Sequence, residues 1–161
     1  MTVNMRRKDK LVENRADIDA IIAGSEVCRL ALSLNDEPYL VPLSFGYDGD
    51  AIYVHTAKKG KKIDYFNKNA RVCFEFETNV RYVRDGKDAC SSTFSFECVI
   101  GHGKISEILN ADGKEYALRQ ITLHYGESSK EFPKDALRKV RVWKVSVDSV
   151  SGKRSPLKEL S

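Results

Sequence analysis

No apolar run in this 161-residue chain is long enough to cross a membrane, so no membrane-spanning segment is expected. The basic opening at residues 5–10 is followed by no apolar stretch, so no secretory leader is expected either. Cysteines are few: Cys28, Cys73, Cys90 and Cys98, with no CxxC pair among them. A zinc knuckle is therefore unsupported and no metal site is expected. The chain is long enough to bury a core without disulfide staples, and the reducing cytoplasm is the expected location. Cys73 and Cys98 sit in apolar runs and read as buried thiols. Cys90 is a single unflanked thiol in a polar stretch, with no case for a nucleophile. Charge of one sign is also lacking: 27 basic against 23 acidic residues leave a formal +4. That excess is mild for a nucleic-acid binder. A small anionic ligand needs only two or three cations, so a phosphate-bearing molecule is the better match.

What is present is a succession of short strands. Residues 16–23 read as a helix, with Ile18, Ile21 and Ile22 on one face and Gly24 at its end. Residues 27–34 read as a strand, and 35–38 as a turn. From 39 to 47 the pattern alternates, with Tyr39, Val41, Leu43, Phe45 and Tyr47 on one face. Asp48-Gly49-Asp50 is a hairpin turn into a strand at 51–55. A basic loop and a short helix with Ile63 and Phe66 follow. Residues 71–77 alternate again, 80–92 are polar, and 93–108 read as one long strand or two, bent at Gly101-His102-Gly103. A helix is predicted over 111–125, a helical turn near 133–137, and a last strand over 140–150. The end of the chain reads as a mobile tail. Tight turns between neighbouring strands argue against a βαβ plan. An antiparallel barrel of six or seven strands with peripheral helices fits best. One domain spans 1–153, with a tail at 154–161.

Three stretches carry chemistry. In the first, a strand ends in His55 and Thr56, and the loop 57–60 delivers Lys61 and Lys62 at a helix start. Helix N-termini expose unpaired N–H groups and partial positive charge, which suits phosphate. The same loop also reads as a solvated lysine-rich surface. In the second, Pro42 sits inside the run 39–48 and marks an edge strand or a bulge, because proline removes a ladder donor. Backbone groups near it are free for a flat heterocycle, or the segment is an ordinary edge strand. The third, residues 90–101, mixes hydroxyls such as Ser91 and Ser92 with aromatics, as the wet face of a strand also does. Of the three histidines, His102 reads as a bend residue and His124 as the end of a helix. Trp143 reads as core or interface.

Taken together and in order, these stretches resemble the FMN-binding split-barrel superfamily of pyridoxamine 5′-phosphate oxidase. They are most similar to its 5-nitroimidazole-resistance (Nim-type) branch. The residues carrying the resemblance are Met5-Arg6-Arg7-Lys8-Asp9, Val41-Pro42-Leu43-Ser44-Phe45-Gly46-Tyr47, and His55-Thr56-Ala57 with Gly60-Lys61-Lys62. Ser91-Ser92, Val99-Ile100-Gly101 and His124-Tyr125 complete the set. The resemblance implies a split barrel that holds FMN at the interface of a homodimer. It implies that Thr56, Lys61 and Lys62 hold the phosphate, with His55 beside them as the one candidate catalytic side chain. Val41, Pro42, Leu43 and Ser44 would line the ring, and Ser91 and Ser92 would come from the partner subunit. A phosphate dianion next to His55 would favour its charged form.

The chain departs from the oxidase in two places. Its end, from Ser151 to Leu157, has no counterpart of the basic motif that grips the oxidase's substrate, and Gly60 stands where the oxidase loop has a serine. The expected function is therefore a flavoprotein reductase of small oxidised or nitroaromatic compounds, drawing on a nicotinamide donor. Three alternatives remain open: a non-enzymatic flavin- or haem-binding protein, an oxidase of the pyridoxamine phosphate type, and a dimer with an empty site.

Overall fold

Asn35 and Asp36 both take positive φ, 51° and 62°. This is the backbone twist a two-residue hairpin requires, and it folds β2 (Cys28–Leu34) back on β3 (Glu37–Leu43). A second turn at Asp48-Gly49-Asp50, with Gly49 at φ 97°, joins β4 (Phe45–Tyr47) to β5 (Ala51–Thr56). A computed structural model describes residues 6–84, 92–127 and 132–155. Within them the remaining strands are β1 (Leu11–Val12), β6 (Arg71–Val83), β7 (Thr93–Ile108) and β8 (Arg141–Ser155). The helices are α1 (Arg15–Ala23), α2 (Lys61–Lys68), α3 (Ala111–His124) and α4 (Lys134–Lys139). No helix among the described residues is long and apolar enough to cross a membrane.

All strand pairs are antiparallel, in the order β3-β2-β6-β7-β8-β5-β4, with β1 added along β8. The first and last members of that order, β3 and β4, are consecutive in the chain and separated only by Ser44. One run of chain thus passes from one edge of the sheet to the other, and the sheet curls around without closing its hydrogen-bond ladder. This is a split barrel with peripheral helices. Counting β3 and β4 as the single strand expected over 39–47, and setting the two-residue β1 aside, gives six strands, within the six or seven expected.

The alternation read from the sequence survives the break at Ser44. Val41, Leu43 and Phe45 are buried, while Leu40, Pro42 and Ser44 are exposed. The interior cluster is built from Leu30, Leu43, Phe45, Ile52, Val54, Phe74, Phe76, Val99, Trp143 and Val145 of the strands, with Ile18, Ile21 and Ile22 of α1 and Ile63 and Phe66 of α2. Trp143 is 2% exposed, which places it in the core and removes it from any subunit interface. The outer face of β5 and β8 is covered by α3, where Ala117 and Ile121 meet Ala51, Tyr53 and Val142. The end of α3 is tied down by two side chains. His124 Nε2 lies 2.8 Å from the Ser25 carbonyl, and the Tyr125 hydroxyl donates to the Glu26 carbonyl at 2.8 Å. The same hydroxyl accepts the Phe45 N–H at 3.2 Å. His124 also stacks against Phe45, with centroids 4.0 Å apart, so its role is structural.

Two strands are longer than the sequence suggests. β6 continues through a register shift between Thr78 and Arg81, where Asn79 takes φ 55°. The expected mobile tail is also a correction: β8 runs to Ser155, beyond the boundary placed at 153, and its end is fastened. Leu11 and Val12 pair with Lys153 and Gly152, Lys10 Nζ donates to Ser155 Oγ at 2.8 Å, and Arg154 pairs with Glu97. These partners are far away in sequence, so local composition does not reveal them.

Candidate functional site

His55 lies near the end of β5, and Ser44 marks the break between β3 and β4. Phe45 pairs with Val54 and Gly46 with Tyr53, so Ser44 and His55 each lie one residue beyond the last ladder pair, where the β3–β4 run crosses between sheet edges. Both lie on the outer face of the barrel, opposite in parity to the buried Val54 and Phe45. His55 is half-buried, and its Nδ1 is enclosed without a hydrogen-bond partner in the protein. A buried polar atom left unpaired is unfavourable and points to a missing partner. Burial lowers the imidazole pKa below its ordinary 6.5, and the charge of Lys62 pushes the same way. Both effects favour the neutral ring, and an arriving anion would act against them.

Lys62 comes from the first turn of α2. That helix starts at Gly60, which adopts φ 144° and ψ 160° and provides no side-chain cap. Few L side chains adopt that φ, so the turn into α2 favours glycine. The first N–H groups of α2 are thus left without a side-chain acceptor, next to a lysine and a histidine. This donor set fits a phosphate.

The two lysines separate clearly. Lys61 Nζ binds Glu37 Oε1 at 2.6 Å and lies 5.1 Å from the Tyr39 ring centroid and 5.7 Å from that of Tyr65. It ties α2 to β3, while the charge that bears on His55 is that of Lys62. Thr56 also lies elsewhere than expected: its side chain is buried with Ile52 and Val54 on the inner face. Its single hydroxyl proton goes to the Ala57 carbonyl at 3.0 Å, and its oxygen accepts the Trp143 indole N–H at 3.0 Å.

On β3 the side chains of Val41 and Leu43 point into the core, so contact from these two with anything outside runs through the backbone. Pro42 and Ser44 face outward. Ser92 is half-buried ahead of β7, whereas Ser91 lies outside the described residues. The far end of β7, Ile108, pairs with Val142, which also pairs with His55. β7 has 16 residues, and at about 3.3 Å each this is roughly 50 Å of strand. Ser92 and His55 of one chain therefore lie at opposite ends of β7.

Residues 14–154 match the family described as pyridoxamine 5′-phosphate oxidase. The chain belongs to this family. It is similar to the crystal structure of a Bacteroides thetaiotaomicron protein described as a candidate 5-nitroimidazole antibiotic resistance protein. The two are 33% identical, with 89% of this chain and 85% of that one covered and a TM-score of 0.79. It also shares the fold of an FAD- and haem-binding protein from Mycobacterium smegmatis, at 16% identity, coverage of 93% and 76%, and a TM-score of 0.79. Among curated proteins it is 31% identical over 71 residues to an uncharacterised Rhizobium meliloti protein, covering 42% of this chain. The match spans 46%, about half, of that relative's length.

Sequence reasoning missed Trp143 as the partner of Thr56, and Glu37, Tyr39 and Tyr65 as the residues that hold Lys61 out of the corner. A signal for the first existed: period-two counting along 52–56 already groups Thr56 with Ile52 and Val54.

Proposed function

We propose that this chain is a cytoplasmic, FMN-dependent reductase of small oxidised molecules, nitroaromatics among them, with a reduced nicotinamide as electron source. The observation that carries this reading is the corner at the split: Ser44, His55 with its unpartnered Nδ1, Lys62 and the uncapped start of α2, in a chain so similar to the Bacteroides protein. When bound, FMN supplies the redox chemistry, and the protein binds and tunes it. Lys62 and the α2 N–H groups hold the phosphate, and His55 stands beside it, able to take up a proton once an anion offsets Lys62. The exposed Pro42 and Ser44 and the backbone of Val41 and Leu43 offer an edge to a flat ring.

The reading includes a homodimer. Val80, Tyr82 and Phe94 are 48%, 55% and 52% exposed on the β6–β7 hairpin, and the Tyr82 and Phe94 rings lie 5.2 Å apart. An aromatic patch of this kind suits a two-fold contact. Ser92 then reaches the site of the partner chain. An oxidase of vitamin B6 is disfavoured because Arg154, the last arginine, is engaged by Glu97 and Asp17.

The test is anaerobic. The bound flavin is reduced chemically, a nitroimidazole is added, and reoxidation is followed by absorbance. Slow but complete reoxidation is expected. A flavin that stays reduced for hours, while free reduced FMN reacts, would mean that the protein shelters flavin and does not act on nitro compounds.

A further inference from the structure

We propose that Trp143 is a positioning residue for the phosphate loop and acts through the hydroxyl of Thr56, which itself does not touch the ligand. The proposal rests on the FMN reading above. Three observations support it. First, Thr56 is 4% and Trp143 2% exposed, and both face the interior. Second, a threonine hydroxyl has one proton to give, and that proton goes to the Ala57 carbonyl, so none is left for a phosphate. Third, the indole is held on two sides. Phe66 of α2 packs edge-on at 4.9 Å between centroids, and the Arg141 guanidinium lies 4.5 Å from the ring centroid. Arg141 is in turn fixed by Glu107 through two hydrogen bonds, at 2.8 and 2.5 Å, and reaches Asn67 Oδ1 at 3.4 Å.

One side chain therefore connects both ends of the loop at 57–60. Its N–H fixes Thr56 and Ala57 where the loop leaves β5, and its ring meets Phe66 in the helix that the loop enters. The loop sets the direction of the α2 N–H groups and of Lys62. Removing the indole N–H frees the Thr56 oxygen and lets the loop relax, although no group that touches the phosphate has changed.

The experiment compares FMN and riboflavin affinity in the full-length protein for wild type, W143F, T56V, T56S and the double variant W143F/T56V. W143F is expected to weaken FMN by about tenfold, one lost hydrogen bond's worth, and to leave riboflavin unchanged. T56S, which keeps the hydroxyl, should bind FMN like wild type. The double variant should lose no more than the worse single variant, because both interrupt one chain of contacts. Normal FMN binding by W143F together with weak binding by T56V would overturn the proposal, because Thr56 would then touch the phosphate itself. Equal loss of FMN and riboflavin in W143F would also overturn it, by making Trp143 merely structural. If W143F does not fold, W143M takes its place as an apolar filler without an N–H. Wild-type protein that binds neither flavin would refute the FMN reading instead, which separates the two failures.

Discussion

Replacing Lys62 with alanine is expected to lower FMN affinity by about tenfold to a hundredfold, from roughly 1.5–3 kcal/mol for one charge-assisted contact. Riboflavin, which lacks the phosphate, should bind wild type and variant alike. The expectation follows from the position of Lys62 in the first turn of α2, where its charge reaches His55 and the helix start lacks a side-chain cap. The neighbouring K61A supplies the contrast. Lys61, itself exposed, is engaged by Glu37 and by the rings of Tyr39 and Tyr65. An exposed pair of this kind contributes about 0–1 kcal/mol, and its loss leaves the phosphate corner in place. K61A should therefore bind FMN within about threefold of wild type. Equal affinity of K62A and wild type would remove Lys62 from the site, and a larger loss in K61A would exchange the two roles.

Replacing Gly46 with alanine is expected to destabilise the fold by roughly 1–3 kcal/mol, the usual cost of overpacking. A Cβ at this position would lie 2.4 Å from the Gln120 carbonyl carbon and 2.5 Å from the Ile121 amide nitrogen. Both are backbone atoms of α3, so no rotamer change relieves the clash and the helix must move. With it would move Ala117 and Ile121, which cover Ala51, Tyr53 and Val142, and His124, which packs on Phe45. For a chain of this size each kcal/mol corresponds to about 2–4 °C in melting temperature, so G46A should melt several degrees lower. The displaced helix lies against β4, next to Ser44, so FMN binding should weaken as well. A thermal melt that superimposes on wild type would show that α3 does not dock on Gly46.

Much of the barrel was legible because its strands alternate cleanly and its turns carry Asn, Asp and Gly where positive φ is needed. The break at Ser44 was not legible, since the inside–outside pattern continues through it and only the change of pairing partner marks it. The extension of β6 past Glu77 was hidden by the exposed residues 79–82, and the ordered end of β8 by partners near the N-terminus. Of the proposed site, His55, Lys62 and Ser44 came from local motifs and a family resemblance. The separation of Lys61 from Lys62 could not be read, because it depends on Glu37 and Tyr39 across a gap in sequence. The inward turn of Thr56 was within reach of period-two counting, but its bond to Trp143 needed the register Val54↔Trp143 between β5 and β8.

The central claim is that the corner at the barrel split holds FMN. The most direct test is the visible absorption spectrum of the untagged protein after incubation with FMN and removal of unbound flavin. A yellow protein with a flavin spectrum and one FMN per chain is expected. A colourless protein that retains no FMN, or a red-brown one with a haem spectrum, would contradict it.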